Sequence, residues 1–404
     1  MIRTLLFDLD DTLLDNDTST FVPAYLQAIS GYAAGEKSKK RFARELMVGS
    51  RAMVQNVDPA QTLQRAFSEV FFPAIGASEP ELRSVIDTFY SEHYPALQLL
   101  VNPRPAARIL MEWAVEAGFE IVIATNPLFP LNAISQRLQW AGVGMDEFPY
   151  ALVTSMERMH FSKPHPEYFA EILALLGRRP EEALMVGNNW RSDIIAANDA
   201  GIATYWIASP AQPPREPCPA GLVGQGNLID FLTWASADDC LQRSLAPPFR
   251  NDWYPAHTRA IPGAVADVFH DLPEYLWSER PAPDEWALVE IICHLRDFEL
   301  EVNQPRVERM LSETEPFFSA VSPDTWAHER NYLKEDGPKA LREFIEARKQ
   351  TSATLAGLSP PDWERRARHA IFGPTHLAEL VSIWLDHDRA HLAQLRDTRA
   401  RLHV

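Results

Sequence analysis

The chain has little cysteine and no long apolar run. Its 404 residues include three cysteines, Cys218, Cys240 and Cys293, which lie far apart in the sequence. This spacing gives neither a zinc-binding pattern nor a disulfide framework, and it favours a reducing cytoplasm. No apolar stretch approaches the roughly 18 residues of a membrane span, so no membrane segment is expected. A signal peptide is not expected either, because the first residues already resemble a buried strand.

Positive charge is also scarce. The chain has 38 Lys and Arg residues against 55 Asp and Glu, a net charge of −17 at pH 7. This balance argues against nucleic acid held on a basic surface. A small anionic substrate remains compatible with it, because one local positive site can hold such a molecule. The length allows two or three domains.

The first two hundred residues alternate short apolar segments with helical patterns. Strands are predicted at Arg3–Phe7, Glu120–Ala124, Tyr150–Thr154, Ala183–Gly187 and Ala203–Ile207. This alternation predicts a Rossmann-like α/β domain with a mainly parallel sheet. Residues 16–100 show only helical periodicity and are too many for a loop, so we expect an inserted helical cap. The predicted domain is 1–240, with its core at 1–15 and 101–240.

The second part of the chain is predicted to be a different, all-α domain. Nine of the twelve histidines lie after residue 250. The proline-rich stretch 210–219 cannot form helix interior or central strand. We place a linker at 241–254 and a second domain at 255–404, in which no strand is expected. Helices at about 256–273, 284–312, 336–357 and 375–400 predict a four-helix bundle, with Asp284 and Thr375 as N-caps and Gly357 as a C-cap.

The string TLLFDLDDTLLD is the most informative part of the first domain. Asp8 and Asp10 follow an apolar strand, and open α/β sheets bind ligands at the carboxyl ends of their strands. Two carboxylates this close repel each other unless a positive group lies between them. Mg²⁺ and a phosphoryl group are the candidates that this arrangement favours.

Three later strings bring further polar residues to the same edge. IVIATN ends at Thr125 and Asn126, SKPHPEYF places Lys163 before a helix, and LMVGNNWRSD follows a strand with Asp193. Phosphoryl transfer needs a nucleophile, an acid/base group, cations for the phosphoryl oxygens and a metal. These residue types in this order therefore predict phosphoryl transfer.

The roles follow from position and chemistry. Asp8 is the expected nucleophile, because it is the first residue past the strand, and Asp10 is the expected acid/base. Thr125, Asn126 and Lys163 are predicted to hold the phosphoryl group. Mg²⁺ prefers oxygen ligands, and its predicted ligands are Asp8, Asp10 through its backbone carbonyl, and Asp193.

The four strings, in this order, resemble the haloacid dehalogenase superfamily over about residues 1–240. The position of the cap is similar to that of the superfamily's helical C1 cap subgroup, which contains phosphatases, a phosphomutase and dehalogenases. The resemblance implies phosphate chemistry, since the dehalogenases usually lack the aspartate found here as Asp10. One departure concerns Asn188, which stands where the family usually has an acid. The resemblance implies Asn188 as a further Mg²⁺ ligand, which offers an oxygen directly or through water but carries no charge, so we expect a weaker metal site.

Histidines mark the second domain. His387 and His391 are four residues apart on a predicted helix and share one face with apolar residues, and His294 lies on the apolar stripe of another helix. Three inward imidazoles can bind a transition metal and leave positions open. A hydrogen-bonded core histidine is the alternative for each residue taken alone.

Residues 255–400 resemble the DinB/YfiT-like superfamily of four-helix proteins, which carry a histidine on the second helix and H-x-x-x-H on the fourth. The resemblance implies His294, His387 and His391 as ligands of Zn²⁺, Ni²⁺ or a similar ion. It also suggests a low-molecular-weight thiol as a co-substrate. Ala393 replaces the glutamate of the ergothioneine-type members, so that activity is set aside.

The sequence as a whole predicts a Mg²⁺-dependent phosphatase of a small phosphorylated metabolite, fused to a metal-binding bundle through which an oligomer can form. One alternative makes a thiol S-transferase or hydrolase activity of the bundle the main function. Another is a non-catalytic sensor of a phosphate ligand, in which Asn188 has weakened turnover.

Overall fold

The structure is a computed structural model, and it describes residues 1–209, 211–213, 215–237, 240–242, 245–321 and 323–402. Pro210 and Pro214 of the proline-rich stretch, residues 243–244 of the predicted linker and His403 lie outside these ranges. The chain forms two compact units, Met1–Val57 with Gln61–Phe249, and Asp58–Ala60 with Arg250–Val404. No helix that the described residues form is both long enough and apolar enough to cross a membrane.

The first unit is built on a six-stranded parallel sheet, which confirms the predicted α/β class. Its strands have the order β5-β4-β1-β6-β7-β8. Their bounds are β1 Thr4–Phe7, β4 Glu120–Ile123, β5 Tyr150–Val153, β6 Ala183–Gly187, β7 Ala203–Ile207 and β8 Leu222–Gly226. A two-stranded ribbon of β2 Leu14–Asp15 and β3 Asn102–Pro103 lies between β1 and β4 in the chain. Five of the six main strands were predicted, and β8 was not.

The strands form where apolar residues are buried on both faces. All four residues of β1 and all five residues of β6 and of β7 are buried, as expected for a parallel sheet that helices cover on each side. The helices of this unit outside the cap are α4 Pro105–Glu116, α5 Leu131–Trp140, α6 Pro166–Leu176, α7 Ala196–Asp199 and α8 Leu228–Ala235. The core therefore lies in and around the central strands, directly below the edge that carries the aspartates.

The predicted cap is helical. It comprises α1 Thr18–Gln55, α2 Leu63–Ile75 and α3 Glu79–Thr88, followed by short helical turns up to Leu100. Local signals set its boundaries: Asp17 and Thr62 accept hydrogen bonds from backbone N–H groups at the starts of α1 and α2. Helix α2 ends at Gly76, whose φ of 74° is a left-handed conformation that glycine adopts without strain.

The second unit is dominated by four helical rods that contact one another in a ring. These are α9 Tyr254–Phe269, α10 Leu288–Phe298 continued through a π-helical turn into α11 Gln304–Ser312, α13 Gly337–Ala356 and α15 Leu377–Arg401. Helix α13 packs on α9 and α10, and α15 packs on the same two helices. The short helices α12 Trp326–Glu329 and α14 Pro360–Trp363 lie in the connections. The four-helix bundle is thus confirmed.

The expectation that no strand follows residue 255 was wrong. Strands β9 Phe317–Phe318, β10 Arg366–His369 and β11 Gly373–His376 form a small sheet. Strands this short leave too little periodicity to be recognised in the sequence. The predicted N-caps were also misplaced, because α10 begins after Ala287 and α15 begins after His376. Gly357 does end α13, as predicted.

Candidate functional sites

The sheet brings the predicted first-domain residues to one edge. Strand β1 pairs with β4 on one side and with β6 on the other. The pairing continues past the strand ends, because the Asp8 N–H donates to the Val186 carbonyl at 3.0 Å and the Ala124 N–H donates to the Phe7 carbonyl at 2.7 Å. The three neighbouring strands β4, β1 and β6 therefore end at the same level of the sheet. Just past their ends lie Thr125, Asp8 and Asn188.

Lys163 joins two of the predicted acids. Its Nζ lies 2.9 Å from Asp8 Oδ1 and 2.5 Å from Asp193 Oδ1. The Lys163 and Asp193 side chains are 2% and 1% exposed, and that of Asp8 is 11% exposed. One ammonium group is thus shared by two carboxylates in a nearly dry site, which we call the aspartate–lysine cluster.

The charges of this cluster are not balanced, and the pKa values of its members are shifted as a result. Burial, and then the charge of Asp193, raise the pKa of Asp8 to about 7, although Lys163 opposes the rise. Burial alone would lower the pKa of Lys163, but Asp193 and Asp8 outweigh it and raise that pKa above its usual range. The lysine is therefore charged, and the cluster has one more carboxylate than it has cations.

Backbone geometry fixes Asp193 within the cluster. Its Oδ2 accepts a hydrogen bond from the Asn189 N–H at 2.8 Å. Gly187 is needed beside it, because a Cβ at that position would lie 2.4 Å from the same oxygen. The final residue of β6 is therefore small so that a carboxylate can approach the strand end.

Asp10 does not join the cluster through its side chain. Its Oδ1 accepts from Asn16 Nδ2 at 2.7 Å, and its Oδ2 is held by Arg137 Nη1. Arg137 lies on α5, is 2% exposed, and was not anticipated from the sequence. The available signal was its place among the buried residues Ala133, Ile134 and Leu138 on the inner face of that helix.

The remaining predicted residues occupy the rim of the same edge. Thr125 is buried, and its carbonyl accepts hydrogen bonds from the Thr154 and Tyr168 hydroxyls. Asn126 Oδ1 is buried without a hydrogen-bond partner among the described residues. Asn188 Oδ1 lies 3.5 Å from the Thr12 hydroxyl, which in turn lies 3.1 Å from Asp8 Oδ2. Within the described part of the chain, no side-chain hydrogen bond joins Thr125 or Asn126 to the cluster.

The donor set suits a hard divalent cation. Asp8, Asp193 and Asn188 offer only oxygen atoms, which Mg²⁺ prefers. The cluster also has an excess negative charge for a cation to neutralise. Asn188 contributes an oxygen but no charge, as the sequence indicated.

The cap has a cavity of its own. It measures about 230 Å³ and lies among the cap helices and the loop that follows β4. Its walls are mainly apolar and include Tyr25, Tyr90 and Phe129. The Tyr25 and Tyr90 hydroxyls are hydrogen-bonded to each other at 2.7 Å.

In the second unit the three predicted histidines meet. One ring nitrogen from each of His294, His387 and His391 can be chosen so that all three lie within 4.8 Å of one another. The two Nε2 atoms of His294 and His387 are 3.1 Å apart. Burial, and then the neighbouring imidazoles His391 and His387, lower the pKa of His294 to about 3. His294 is therefore neutral near pH 7, which is the form that binds a metal.

The surroundings of the triad fit a metal site. His391 Nδ1 lies 2.9 Å from Gln394 Oε1 on the same helix, a contact that fixes the orientation of the ring. Asp388, next to His387, is buried and paired with the buried Arg348, which also binds Glu299. A second cavity of about 230 Å³ reaches His387 and is lined mostly by apolar side chains, which come from α10, α11, α15, the turn between β10 and β11 and the loop before α12.

Fold and sites together define a two-domain protein, with an α/β unit that gathers carboxylates and a lysine at its sheet edge and a helical unit with a histidine triad. Residues 2–201 match the family model of the haloacid dehalogenase-like hydrolases, and residues 257–395 match that of the DinB superfamily. The chain is therefore a fusion of a haloacid dehalogenase-like hydrolase domain with a DinB superfamily domain.

Curated relatives match about half of the chain, and two of them show the degree of similarity. Pyrophosphatase PpaX of Anoxybacillus flavithermus is 26% identical over 212 residues, which is 51% of this chain and 84% of the relative. A phosphoserine phosphatase of Thermus thermophilus is 28% identical over 235 residues, covering 51% of this chain and 88% of the relative. Among solved structures, YfiT from Bacillus subtilis, described as a probable metal-dependent hydrolase, matches with a TM-score of 0.35 and 16% identity over 38% of this chain and 87% of that chain.

Proposed function

We propose that the first unit is a Mg²⁺-dependent phosphatase of a small phosphorylated metabolite, working through an aspartyl-phosphate. The observation that carries this proposal is the aspartate–lysine cluster at the end of β1. A buried carboxylate that is held by a lysine and backed by a second acid has the parts of a nucleophile with charge neutralisation. The names of the two relatives, a pyrophosphatase and a phosphoserine phosphatase, support phosphate chemistry.

In the first step an Asp8 oxygen forms a bond to phosphorus. The bond from phosphorus to the leaving oxygen breaks, and its electron pair stays on that oxygen, which takes a proton from Asp10. In the second step water attacks phosphorus, Asp10 accepts a proton from it, and inorganic phosphate leaves with Asp8 restored as a carboxylate. Lys163 offsets negative charge on the nucleophile in both steps, and Thr125 and Asn126 border the space for the phosphoryl oxygens.

Mg²⁺, held by Asp8, Asp193, the Asp10 carbonyl and Asn188, would neutralise the phosphoryl oxygens. The other contributions come from the chain itself. Gly187 and the Asn189 N–H hold Asp193 in place, and the cap cavity provides space for the rest of the substrate.

The test is a panel of phosphorylated metabolites assayed with Mg²⁺, comparing the parent protein with Asp8→Asn. We expect the variant to lose roughly a thousandfold or more of kcat, as nucleophile substitutions do. Asp15→Asn is the matched control, because Asp15 is exposed on the same segment and pairs with Arg104 at 3.2 Å. Full activity in Asp8→Asn would refute the nucleophile, and tight binding without turnover in the parent would favour a sensor.

A second activity is proposed for the bundle, carried by the histidine triad. We propose that it binds Zn²⁺, Ni²⁺ or a similar ion and acts on a small molecule in the adjoining cavity, with a thiol as co-substrate. Elemental analysis of the purified protein should show about one transition metal ion per chain, and His387→Ala should lose it together with any thiol-dependent conjugation. His270→Ala is the control, because His270 is exposed away from the triad. A parent protein that takes up no transition metal would refute this proposal.

A further inference from the structure

One guanidinium group in the first unit has an unfilled edge. Arg137 uses Nη1 to hold Asp10, while its Nε and Nη2 are buried and have no hydrogen-bond partner among the described residues. Nε–H and one Nη2–H point the same way in a planar guanidinium, and together they match the two oxygens of a carboxylate or phosphate. The unfilled groups are therefore a complete binding edge rather than two scattered donors.

Two other arginines of this chain use the same pair of nitrogens, Nε and Nη2, to bind a carboxylate. Arg178 Nε and Nη2 hold the two oxygens of Glu120 at 2.7 and 2.6 Å, and Arg280 holds Glu290 in the same way at 2.9 and 2.5 Å. Both of those arginines are far more exposed than Arg137, at 23% and 38% against 2%. Leaving two donors unpaired in a buried position costs more than leaving them in water. The most buried of these three arginines is thus the one whose edge lacks a carboxylate.

The position of this edge ties it to the reaction. Arg137 binds Asp10, the residue proposed to protonate the leaving oxygen, so its guanidinium lies next to the group that would meet the leaving oxygen. Its guanidinium carbon lies 4.6 Å from the centre of the Phe129 ring, which also lines the cap cavity. The Tyr94 hydroxyl, also buried and without a partner among the described residues, is near enough for the charge of Arg137 to oppose the rise that burial causes in its pKa.

We propose that Arg137 is a specificity residue that binds a second oxyanion, a carboxylate or a phosphate, on the leaving group of the substrate. This inference rests on the proposed phosphatase function and narrows its substrate class to phosphate compounds that carry two anionic groups. The phosphoryl group to be transferred lies at the aspartate–lysine cluster, and the second anion fills the Nε and Nη2 edge. The Tyr94 hydroxyl is a further donor for the same group.

The test compares substrates that differ in the second anion. Phosphoglycolate and ethyl phosphate share a two-carbon leaving group, and only the former carries a carboxylate; pyrophosphate supplies a phosphate instead. The parent protein should favour phosphoglycolate over ethyl phosphate in kcat/KM by roughly 10- to 100-fold, the range of a charge-assisted pair. Pyrophosphate is an anhydride and intrinsically more reactive than an ester, so its kcat/KM is compared between the parent and the Arg137 variants rather than with ethyl phosphate. A parent protein that shows no preference over ethyl phosphate overturns the inference.

Variants separate binding from structure. Arg137→Lys keeps the charge but loses the two-pronged edge, so the preference should fall toward unity, and Arg137→Gln should abolish it. Arg44→Gln is the control, because Arg44 is exposed and pairs with its neighbour Glu45, so it should leave the preference unchanged. Should both Arg137 variants misfold, Tyr94→Phe, which removes only the unpaired hydroxyl, should still lower the preference. An unaltered preference in a folded Arg137 variant overturns the inference.

A failure of the second-anion site can be told apart from a failure of the proposed phosphatase function. Loss of turnover in Asp8→Asn with no preference in the parent would leave the phosphatase standing and refute the second-anion site alone. Where the parent shows no turnover, calorimetric binding of phosphoglycolate and ethyl phosphate to the parent makes the same comparison. Equal affinities for the two would then refute the inference.

Discussion

The buried carboxylate of Asp8 should lower the free energy of unfolding of the metal-free protein. Replacing Asp8 with asparagine should raise that free energy again. In the folded chain, burial and the neighbouring Asp193 raise the pKa of Asp8 from 3.8 to about 7. Below pH 3.8 the group is protonated in both states and has no effect. Between these values the unfolded chain loses its proton first, so stability falls as pH rises, and above pH 7 the loss is complete.

The size of the effect follows from the two pKa values. A difference of about 3 units corresponds to about 4 kcal/mol, which is a ceiling because asparagine also has to be buried. We therefore expect Asp8→Asn to unfold at a higher temperature than the parent at pH 8 in EDTA, by up to roughly 8–16 °C for a unit of this size. The two should converge near pH 4. Lys163 keeps its partner in the variant, because Asp193 Oδ1 remains at 2.5 Å.

Calorimetry over pH 4 to 8, with EDTA and then with Mg²⁺, measures this prediction. Added Mg²⁺ should raise the melting temperature of the parent more than that of Asp8→Asn, since the ion favours the ionised carboxylate that the variant lacks. Asp15→Asn, an exposed change of the same kind, should follow the parent. An Asp8→Asn variant that melts below the parent at pH 8, or a difference in melting temperature that does not change with pH, would refute a stability cost of the Asp8 carboxylate.

Three further outcomes are expected. Asn188→Asp should bind Mg²⁺ about tenfold more tightly in a titration, since it adds a charge to the ligand set, and weaker binding would argue against a ligand role. Gly187→Ala should lower both activity and thermal stability, because the new Cβ would meet the Asp193 carboxylate at 2.4 Å, and a fully active variant would contradict the geometry. Arg348→Met should cost about 3–5 kcal/mol in urea unfolding, because two buried carboxylates lose their cation, whereas Lys339→Met, exposed on the same helix, should cost little.

The central strands could be predicted because a strand that is buried on both faces appears in the sequence as a continuous apolar run. Ala183–Gly187 and Ala203–Ile207 are continuous apolar runs between helices, and the structure places both as predicted. Strand β8 has the sequence LVGQG and is only half-buried at the sheet edge. With two glycines and a glutamine in five residues, the segment shows no strand pattern in the sequence. The structure shows it as a strand through its backbone pairing with β7.

The residues at the sheet edge could be foreseen for a topological reason. Parallel strands expose their carboxyl ends at one edge, so polar residues just past apolar strands converge without any knowledge of side-chain conformation. Arg137 could not be foreseen in this way. On a helix an arginine usually extends into solvent, and only the burial of Arg137 on the inner face of α5 and its contact with Asp10 show that this one points inward.

Each unit has a buried cation between two carboxylates. The cation is an arginine in the second unit and a lysine in the first, and this difference affects how firmly the two acids are held. Arg348 binds Glu299 and Asp388, all three are at most 1% exposed, and Asp388 is adjacent to the histidine triad in sequence. An arginine spans two acids with fixed geometry, so this cluster is suited to holding helices α13 and α15 in register around the triad. Lys163 is a point charge on a flexible stem, and its two acids are the proposed nucleophile and metal ligand. A single ammonium group can neutralise either acid without fixing both, and this is compatible with the proposed attack of Asp8 on phosphorus while Asp193 stays in place.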